Sequence, residues 1–270
     1  MTTDSADATE PSRLDRAPDP TDGRVSREAV RGRLDRVYDP ELDRSIVELD
    51  YVEEIDIDGD EVAVTFVLPT AWCSPAFAWM MATGIRDEVG ELPRVDSVTV
   101  QLSDHMHGEE ITTGVNREKA FEAVFEDADD GIEAVRSKLD RSARFARQHA
   151  AVRALQEAGL DAAQVAELTR SDVDLEFGPD RAAVSVRGGD LTVTVPKEPV
   201  AEYLQKARAT GLVTDGSDRL FADRDGDPLD PDPEAVESVV ADARLAAANI
   251  EGQATICASL HESRNGGSFE

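Results

Sequence analysis

Leu68-Pro69-Thr70-Ala71-Trp72-Cys73-Ser74-Pro75 is the stretch that decides the fold of the first half of this chain. The residues leading into it alternate as a largely buried strand does, with one face formed by Val62, Val64, Phe66 and Leu68. Pro75 is well suited to the first turn of a helix. The stretch therefore predicts a strand that passes directly into a helix, with Cys73 at the helix N-terminus.

Cys73 is the residue of this stretch that could carry chemistry. At a helix N-terminus, the unpaired amides and the positive end of the helix dipole favour a thiolate over a thiol. A thiolate there would suit metal or sulfur chemistry. The alternative is an inert cysteine that packs as a small hydrophobic side chain.

Several motifs stand around this turn in a definite order. Asp39-Pro40-Glu41 precedes Ser45-Ile46-Val47-Glu48-Leu49-Asp50-Tyr51-Val52, and a hairpin, the Thr70–Cys73 turn, a helix and a strand from Val95 to Leu102 follow. Over about residues 26–104 this order resembles the iron–sulfur cluster assembly family typified by SufT and PaaD (domain of unknown function 59). Asp50 departs from the family pattern, which has Gly there. If the position needs a positive φ, Asp tolerates it less well than Gly.

The resemblance implies a function and a set of site residues. It implies a maturation factor that transfers an iron–sulfur cluster, or helps to insert one, into client proteins. Cys73 would be the transfer ligand and Thr70 would shape the turn, while the site would be framed by Asp39, Glu41 and Glu48. No catalytic residue is implied, so the chain is not expected to be an enzyme.

The number of ligands sets the way in which a cluster could be held. A cluster takes about four protein ligands, mainly thiolates, so Cys73 alone cannot cage one. The expected cofactor is therefore a transient iron–sulfur cluster, bridged across a homodimer or passed between scaffold and client proteins. The alternative is a non-catalytic interaction subunit of a multicomponent oxygenase or reductase, in which no iron or sulfide touches this chain.

A second group of candidate ligands follows the third predicted strand. His105 and His107 point the same way in an extended chain and could share a metal ion with Cys73. The alternative, which the sequence favours, is a solvated polar loop, because no wider ligand spacing supports the pair.

The predicted elements define an α+β protein. Residues 25–108 form an α-β-β-α-β domain, in which helices cover a small sheet; Ser26 caps the first helix and Asp58-Gly59-Asp60 turns the hairpin. A mostly helical region with a short β-hairpin follows, divided into a helical connector at 109–148 and an α+β domain at 149–264. Residues 1–24 are predicted to be a disordered acidic tail, and 265–270 a frayed end.

Residues 149–264 also resemble part of a tyrosine-recombinase catalytic domain. His261 and Arg264 have the spacing of that family's His-x-x-Arg motif. However, Asp161 stands where the family has an arginine, and no tyrosine follows Tyr203, so strand exchange is excluded. The alternative is chance patterning of helices around a hairpin.

Cys257, the second of the two cysteines, lies in an apolar segment near the end of the chain. A core thiol is the favoured interpretation. If Cys257 instead faced Cys73, a two-thiolate metal site would be available. A disulfide is not expected, since the sequence shows no secretory signal and no span for a bilayer, and a cytoplasmic location is expected.

The net charge of the chain indicates the solvent to which the protein is adapted. Fifty-seven acidic residues oppose twenty-eight basic ones, which gives a formal charge of −29. Such a shell keeps a protein hydrated in molar salt, so the sequence indicates an extreme halophile with an acidic proteome. Nucleic-acid binding is not expected, because no basic stripe is present.

We expect the fold to depend on salt. Lowering KCl from molar concentrations to about 0.1 M lengthens the screening distance from about 3 Å to about 10 Å and exposes the acidic groups to mutual repulsion. The urea midpoint of unfolding should fall accordingly, and circular dichroism would measure it. An unchanged midpoint across this range would contradict a halophilic adaptation.

Overall fold

The computed structural model describes residues 25–128 and 131–265. The acidic tail predicted at 1–24 lies outside the described residues, as do 266–270 of the predicted frayed end. Residue 265 is the last residue of a helix.

The first half of the chain has the predicted α-β-β-α-β order, with two short strands inserted after the first helix. The elements are α1 (Arg27–Leu34), β1 (Tyr38–Asp39), β2 (Arg44–Ser45), β3 (Val52–Asp58), β4 (Glu61–Val67), α2 (Pro75–Gly90), β5 (Ser97–Ser103) and α3 (Gly108–Asn116). Ser26 caps α1 as predicted, since its Oγ accepts a hydrogen bond from the amide of Ala29 at 3.1 Å.

The first sheet has the order β3-β4-β5. β3 and β4 form the predicted antiparallel hairpin around Gly59, whose φ of 64° a side chain would strain. β5 returns through α2 to lie parallel to β4. The buried face of this sheet packs on α1, α2 and α3 in one core that includes Val64, Phe66 and Ile85. The β4–α2 connection thus leaves the sheet at the end of its central strand.

The second half contains a small antiparallel sheet among helices. Its elements are a 3-10 turn (Phe121–Ala123), α4 (Ile132–Glu157), α5 (Ala162–Glu167), β6 (Val173–Asp174), β7 (Arg181–Val186), β8 (Leu191–Pro196), α6 (Lys197–Ala209) and α7 (Pro233–Asn265). The predicted hairpin is β7–β8, and β6 adds a third strand. The α+β class is therefore confirmed for the described residues.

Two long helices belong to both halves. The start of α4 packs on the first core through Ile132, Val135 and Leu139, whereas Val152 and Leu155 near its end lie in the second core. The division predicted between residues 148 and 149 thus falls within one continuous helix. α7 runs beside α4 from the second core towards the first.

Ion pairs connect the halves at the β1–β2 turn. The carboxylate of Asp43 contacts Arg147 Nε of α4 at 2.5 Å and Lys206 Nζ of α6 at 2.9 Å. Only 7% of the Asp43 side chain is exposed, so water screens these contacts less than it would at an open surface. The loop that carries Asp39 and Glu41 is thereby anchored to the C-terminal half.

Asp50 has a backbone conformation that favours glycine. Its φ is 57°, in the left-handed region. For most residues this region costs roughly 1–2 kcal/mol, and Asp is among the side chains that tolerate it best.

Replacing Asp50 by Gly should remove this strain. We expect D50G to raise the free energy of unfolding by up to about 1 kcal/mol, measured by urea denaturation in molar salt. D60G, at a turn residue whose φ is not positive, is the matched control and should gain nothing. Equal effects of the two substitutions would contradict the explanation by strain.

Candidate functional site

The β4–α2 connection holds Cys73 just outside the helix. Ser74 is the N-cap residue of α2 and Pro75 is its first helical residue, so Cys73 lies immediately before the cap. The Cys73 side chain is partly buried and packs against the first core. Thr70 Oγ1 is 3.6 Å from its Sγ and also accepts a hydrogen bond from the amide of Trp72 at 3.2 Å. The hydroxyl of Thr70 thus contacts the thiol while stabilising the turn around it.

Donors from distant parts of the chain satisfy the carbonyl groups of this connection. The amide of Met106 donates to the carbonyl of Ala71 at 3.0 Å. Arg264 Nη1, from the last turn of α7, donates to the carbonyl of Leu68 at 2.6 Å. Because a carbonyl without a partner is costly to bury, these bonds determine where the connection can lie.

His105 fixes the carbonyl of Cys73 itself. His105 Nδ1 accepts a hydrogen bond from the amide of His107 at 3.1 Å, so Nε2 carries the proton and donates to the Cys73 carbonyl at 2.9 Å. Burial lowers the pKa of His105, which favours this neutral form. With both ring nitrogens engaged, His105 could ligate a metal only by giving up one of these bonds.

The side chain of His107 makes different contacts from that of His105. Its ring lies edge-on to Phe125 at 5.5 Å, and its Nδ1 is 3.7 Å from a carboxylate oxygen of Glu110. Among the residues that the structure describes, no group of three or more histidine, cysteine or acidic side chains is placed to hold a metal ion. The shared site of Cys73, His105 and His107 therefore stays a prediction.

Asp39 and Glu41 form the acidic side of the site. Asp39 is buried, and its Oδ1 accepts hydrogen bonds from the amides of Glu41 at 2.9 Å and Leu42 at 3.1 Å. Burial raises the pKa of Asp39, although these two bonds and the nearby Tyr51 hydroxyl oppose the shift. The pKa of Glu41 is raised by burial and by the charge of Asp39. A proton is therefore held more tightly here than on an exposed carboxylate.

Glu48, the third acidic residue predicted to frame the site, is paired with a basic side chain. Its carboxylate forms an ion pair with Arg44, four residues earlier, and about half of each side chain is exposed. An ion pair between two such exposed side chains contributes little to stability. The framing role predicted for Glu48 stays a prediction.

The end of α7 contacts the first domain beside the β4–α2 connection. His261 Nε2 is 3.1 Å from the carbonyl of Asp50, and the His261 ring lies 5.6 Å from the ring of Tyr51. Arg264 adds an ion pair with Asp104 at 2.7 Å to its bond with Leu68. His261 and Arg264, which the sequence associated with a recombinase motif, therefore contact the first domain.

Cys257 lies one turn before His261, where it is influenced by the same acidic side of the site. Its thiol is partly buried, and its pKa is raised to about 11, first by burial and then by the charges of Asp39, Cys73 and Glu41. Tyr51, in turn, has its pKa raised by burial and by the charges of Asp39, Cys257 and Cys73. The charges of the two thiols therefore influence each other or the buried phenol of Tyr51.

The spacing of residues near the end of α7 corresponds to these contacts, although the sequence alone does not reveal their partner. The buried or partly buried positions near the end of α7 are spaced as one helix face, namely Ala254, Cys257, His261 and Arg264. The side chains on this face are small or polar, so hydrophobic periodicity does not mark it as a buried face. Its partner is the first domain, which lies nearly two hundred residues earlier in the chain.

Comparison with known proteins supplies the class of the first domain. Residues 27–102 match the family described as "Iron-sulfur cluster assembly protein". The match covers the first domain, well under half of the chain, and over these residues it confirms the SufT/PaaD-type resemblance found in the sequence. Neither the curated proteins nor the solved structures gave a match. Within the described residues, no helix has the length and apolar character needed to cross a membrane.

The hydrogen bond from His105 to the Cys73 carbonyl should have measurable effects on stability and on the reactivity of Cys73. H105A removes both hydrogen bonds of the ring and should lower the free energy of unfolding by about 1–3 kcal/mol. It should also speed the alkylation of Cys73 by iodoacetamide, because the turn is no longer tied to the end of β5. Mass mapping of the labelled peptide would assign the site of reaction.

H107A is the matched control for this prediction. It removes a more exposed imidazole two residues away, so stability and alkylation should change little. Equal effects of the two variants would contradict the special role of His105.

Proposed function

We propose that this protein is a maturation factor that transfers an iron–sulfur cluster, or helps to insert one, into client proteins. Cys73 is the transfer ligand, and Thr70 positions it. Asp39 and Glu41 form the acidic side of the site. The single observation that carries the proposal is the position of Cys73: within the iron–sulfur cluster assembly domain, it stands partly exposed at the strand-to-helix connection.

The chemistry of the position supports this role. A transfer ligand must bind iron through a thiolate and then release it to another protein, so it cannot be sealed in a core or locked in a disulfide. Cys73 is free, partly exposed and in contact with a hydroxyl. The cluster is the cargo of this reaction, and the remaining ligands come from the scaffold that gives it or the client that receives it.

An exposed aromatic side chain beside the thiol supports a protein partner. Trp72 is 77% exposed, which is unusual for an indole, and it precedes Cys73 directly. Tryptophan is enriched among the residues that dominate protein interfaces. A client or scaffold that covered Trp72 would bring its own ligands to within reach of Cys73.

The rival proposal is an accessory subunit that binds an oxygenase or reductase without handling iron. The length of the C-terminal half supports it, because this half has its own core and a large surface. The two proposals differ in whether iron and sulfide ever contact Cys73. Anaerobic reconstitution with iron and sulfide in molar salt, followed by absorption spectroscopy for sulfur-to-iron charge transfer, separates them.

The decisive variant is C73A in cells. We expect it to lower the cluster content of client proteins at least several-fold, measured as iron, as labile sulfide and as client activity. S74A is a matched control, because it also removes one heavy atom and the Ser74 side chain makes no capping hydrogen bond. Full cluster loading with C73A, at normal protein abundance, would refute the transfer role.

A further inference from the structure

A cavity of about 710 Å³ opens beside the β4–α2 connection. Its walls come from the first turns of α2 and α3 and from the segment that leads into α4. Pro75, one of the lining residues, follows Cys73 by two residues, so at most about 7 Å of extended chain separates their Cα atoms. A cavity of this size suits a small ligand or a side chain of another protein. The proposed transfer role makes no use of it.

The floor of the cavity is aromatic and is fixed by the core. Phe121 and Phe125 line it, with their ring centres 5.0 Å apart. The ring of His107 lies edge-on to Phe125, and the buried Trp79 packs edge-on against both phenylalanines, at 5.6 Å and 6.2 Å. Trp79 can lie so close to α3 only because Gly114 has no side chain: a Cβ there would stand 2.6 Å from the indole ring. The rings belong to the packing of the first core, so the cavity is preformed.

The rim of the cavity is acidic. Glu110, Glu126 and Asp127 line it and are exposed to solvent. None of the described residues that line the cavity is a lysine or an arginine. Elsewhere a carboxylate of this acidic protein can meet a basic side chain, as Asp140 meets Lys206 at 3.1 Å. The cavity therefore presents negative charge that no lysine or arginine of its described wall offsets.

An aromatic floor beneath a rim of carboxylates selects one class of ligand. Aromatic rings attract cations to their faces, and carboxylates form strong hydrogen bonds with charged donors. A purely apolar ligand would leave the carboxylates without a partner, and an anion would be repelled by them. The guanidinium of arginine meets both requirements, because its flat face stacks on a ring while its edge donates to a carboxylate. Glu126 and Asp127 follow Phe125 directly, so a ring and two carboxylates lie along the same wall.

We infer that this cavity binds an arginine side chain of the protein that exchanges the cluster with Cys73. The inference rests on the proposed function for the partner, and it deepens that function by naming the side chain through which the partner is recognised. The apolar stem of the arginine covers the aromatic floor, and its guanidinium pairs with the carboxylates of the rim. The partner's own iron ligands are then held beside the β4–α2 connection. Part of the wall, from Phe121 to Val135, lies outside the family match at 27–102.

Two matched peptides test the chemistry of the cavity. N-acetyl-Phe-Arg-amide carries the cation, whereas N-acetyl-Phe-citrulline-amide has nearly the same shape without the charge. Each is titrated into the full chain in molar KCl, and NMR follows the methyl groups of Val124 and Val135, which line the cavity. We expect saturable shifts of both valines with the arginine peptide and several-fold weaker binding of the citrulline peptide. Equal binding of the two would refute recognition of a cation, and the absence of saturable shifts would refute the site.

Two double variants separate the rim from the net charge of the protein. E110Q/D127N removes two carboxylates that line the cavity, whereas E109Q/E118Q removes two exposed carboxylates that do not. Both change the net charge by the same amount. The first should weaken binding of the arginine peptide several-fold, and the second should leave it unchanged. Equal affinities in the two variants would overturn the inference.

Client loading in cells tests the occupant of the cavity. E110K places a cation of the protein's own chain at the rim, so we expect the cluster content of client proteins to fall several-fold. E109K, at the neighbouring exposed position of the same helix turn, is the control and should load clients normally. The urea midpoint of each variant shows whether it is folded. If E110K does not fold, E126K replaces it at another exposed position of the rim.

The outcomes distinguish this inference from the proposed function. If E110K loads clients fully although it no longer binds the arginine peptide, the partner does not use the cavity and the inference fails, while the transfer role of Cys73 stands. If C73A supports full client loading, the transfer role itself fails, whatever the peptides show. A fall in client loading with E110K and not with E109K, together with the preference for the arginine peptide, supports the inference.

Discussion

The site depends on three carbonyl groups of the β4–α2 connection that have no partner within their own segment. Leu68, Ala71 and Cys73 receive their hydrogen bonds from Arg264, Met106 and His105, respectively. Peptide groups at a strand-to-helix transition fall outside both ladders of regular structure, so they need donors from elsewhere. The connection that carries Cys73 is thus held in place by parts of the chain that fold around it.

This dependence explains why part of the site could be predicted from the sequence and part could not. The alternating strand, Pro75 and Ser26 are local signals, and the elements that they predict are present. The glycine-like conformation of Asp50 could be anticipated from a departure from one motif. The sequence marked His105 as a candidate metal ligand, but its hydrogen bond to Cys73 depends on where β5 ends relative to α2 in space.

The C-terminal half was harder to interpret because its role at the site arises from tertiary placement. Arg264 and His261 form part of a recognisable spacing, yet their contacts are with the first domain. The division predicted after residue 148 falls inside α4, which contributes side chains to both cores. Hydrophobic periodicity reports that a helix has a buried face and does not report which partner covers it.

The continuity of α4 has a kinetic consequence for the contact between the two halves. Its 26 residues form a helix about 39 Å long at 1.5 Å per residue, and α7 runs along it. A flexible tether would let the end of α7 explore a large volume and meet the first domain only occasionally, whereas a continuous helix holds it there at a high effective concentration. After a local opening, the hydrogen bonds of His261 and Arg264 to the first domain then re-form in a first-order event, whose rate does not depend on how dilute the protein is.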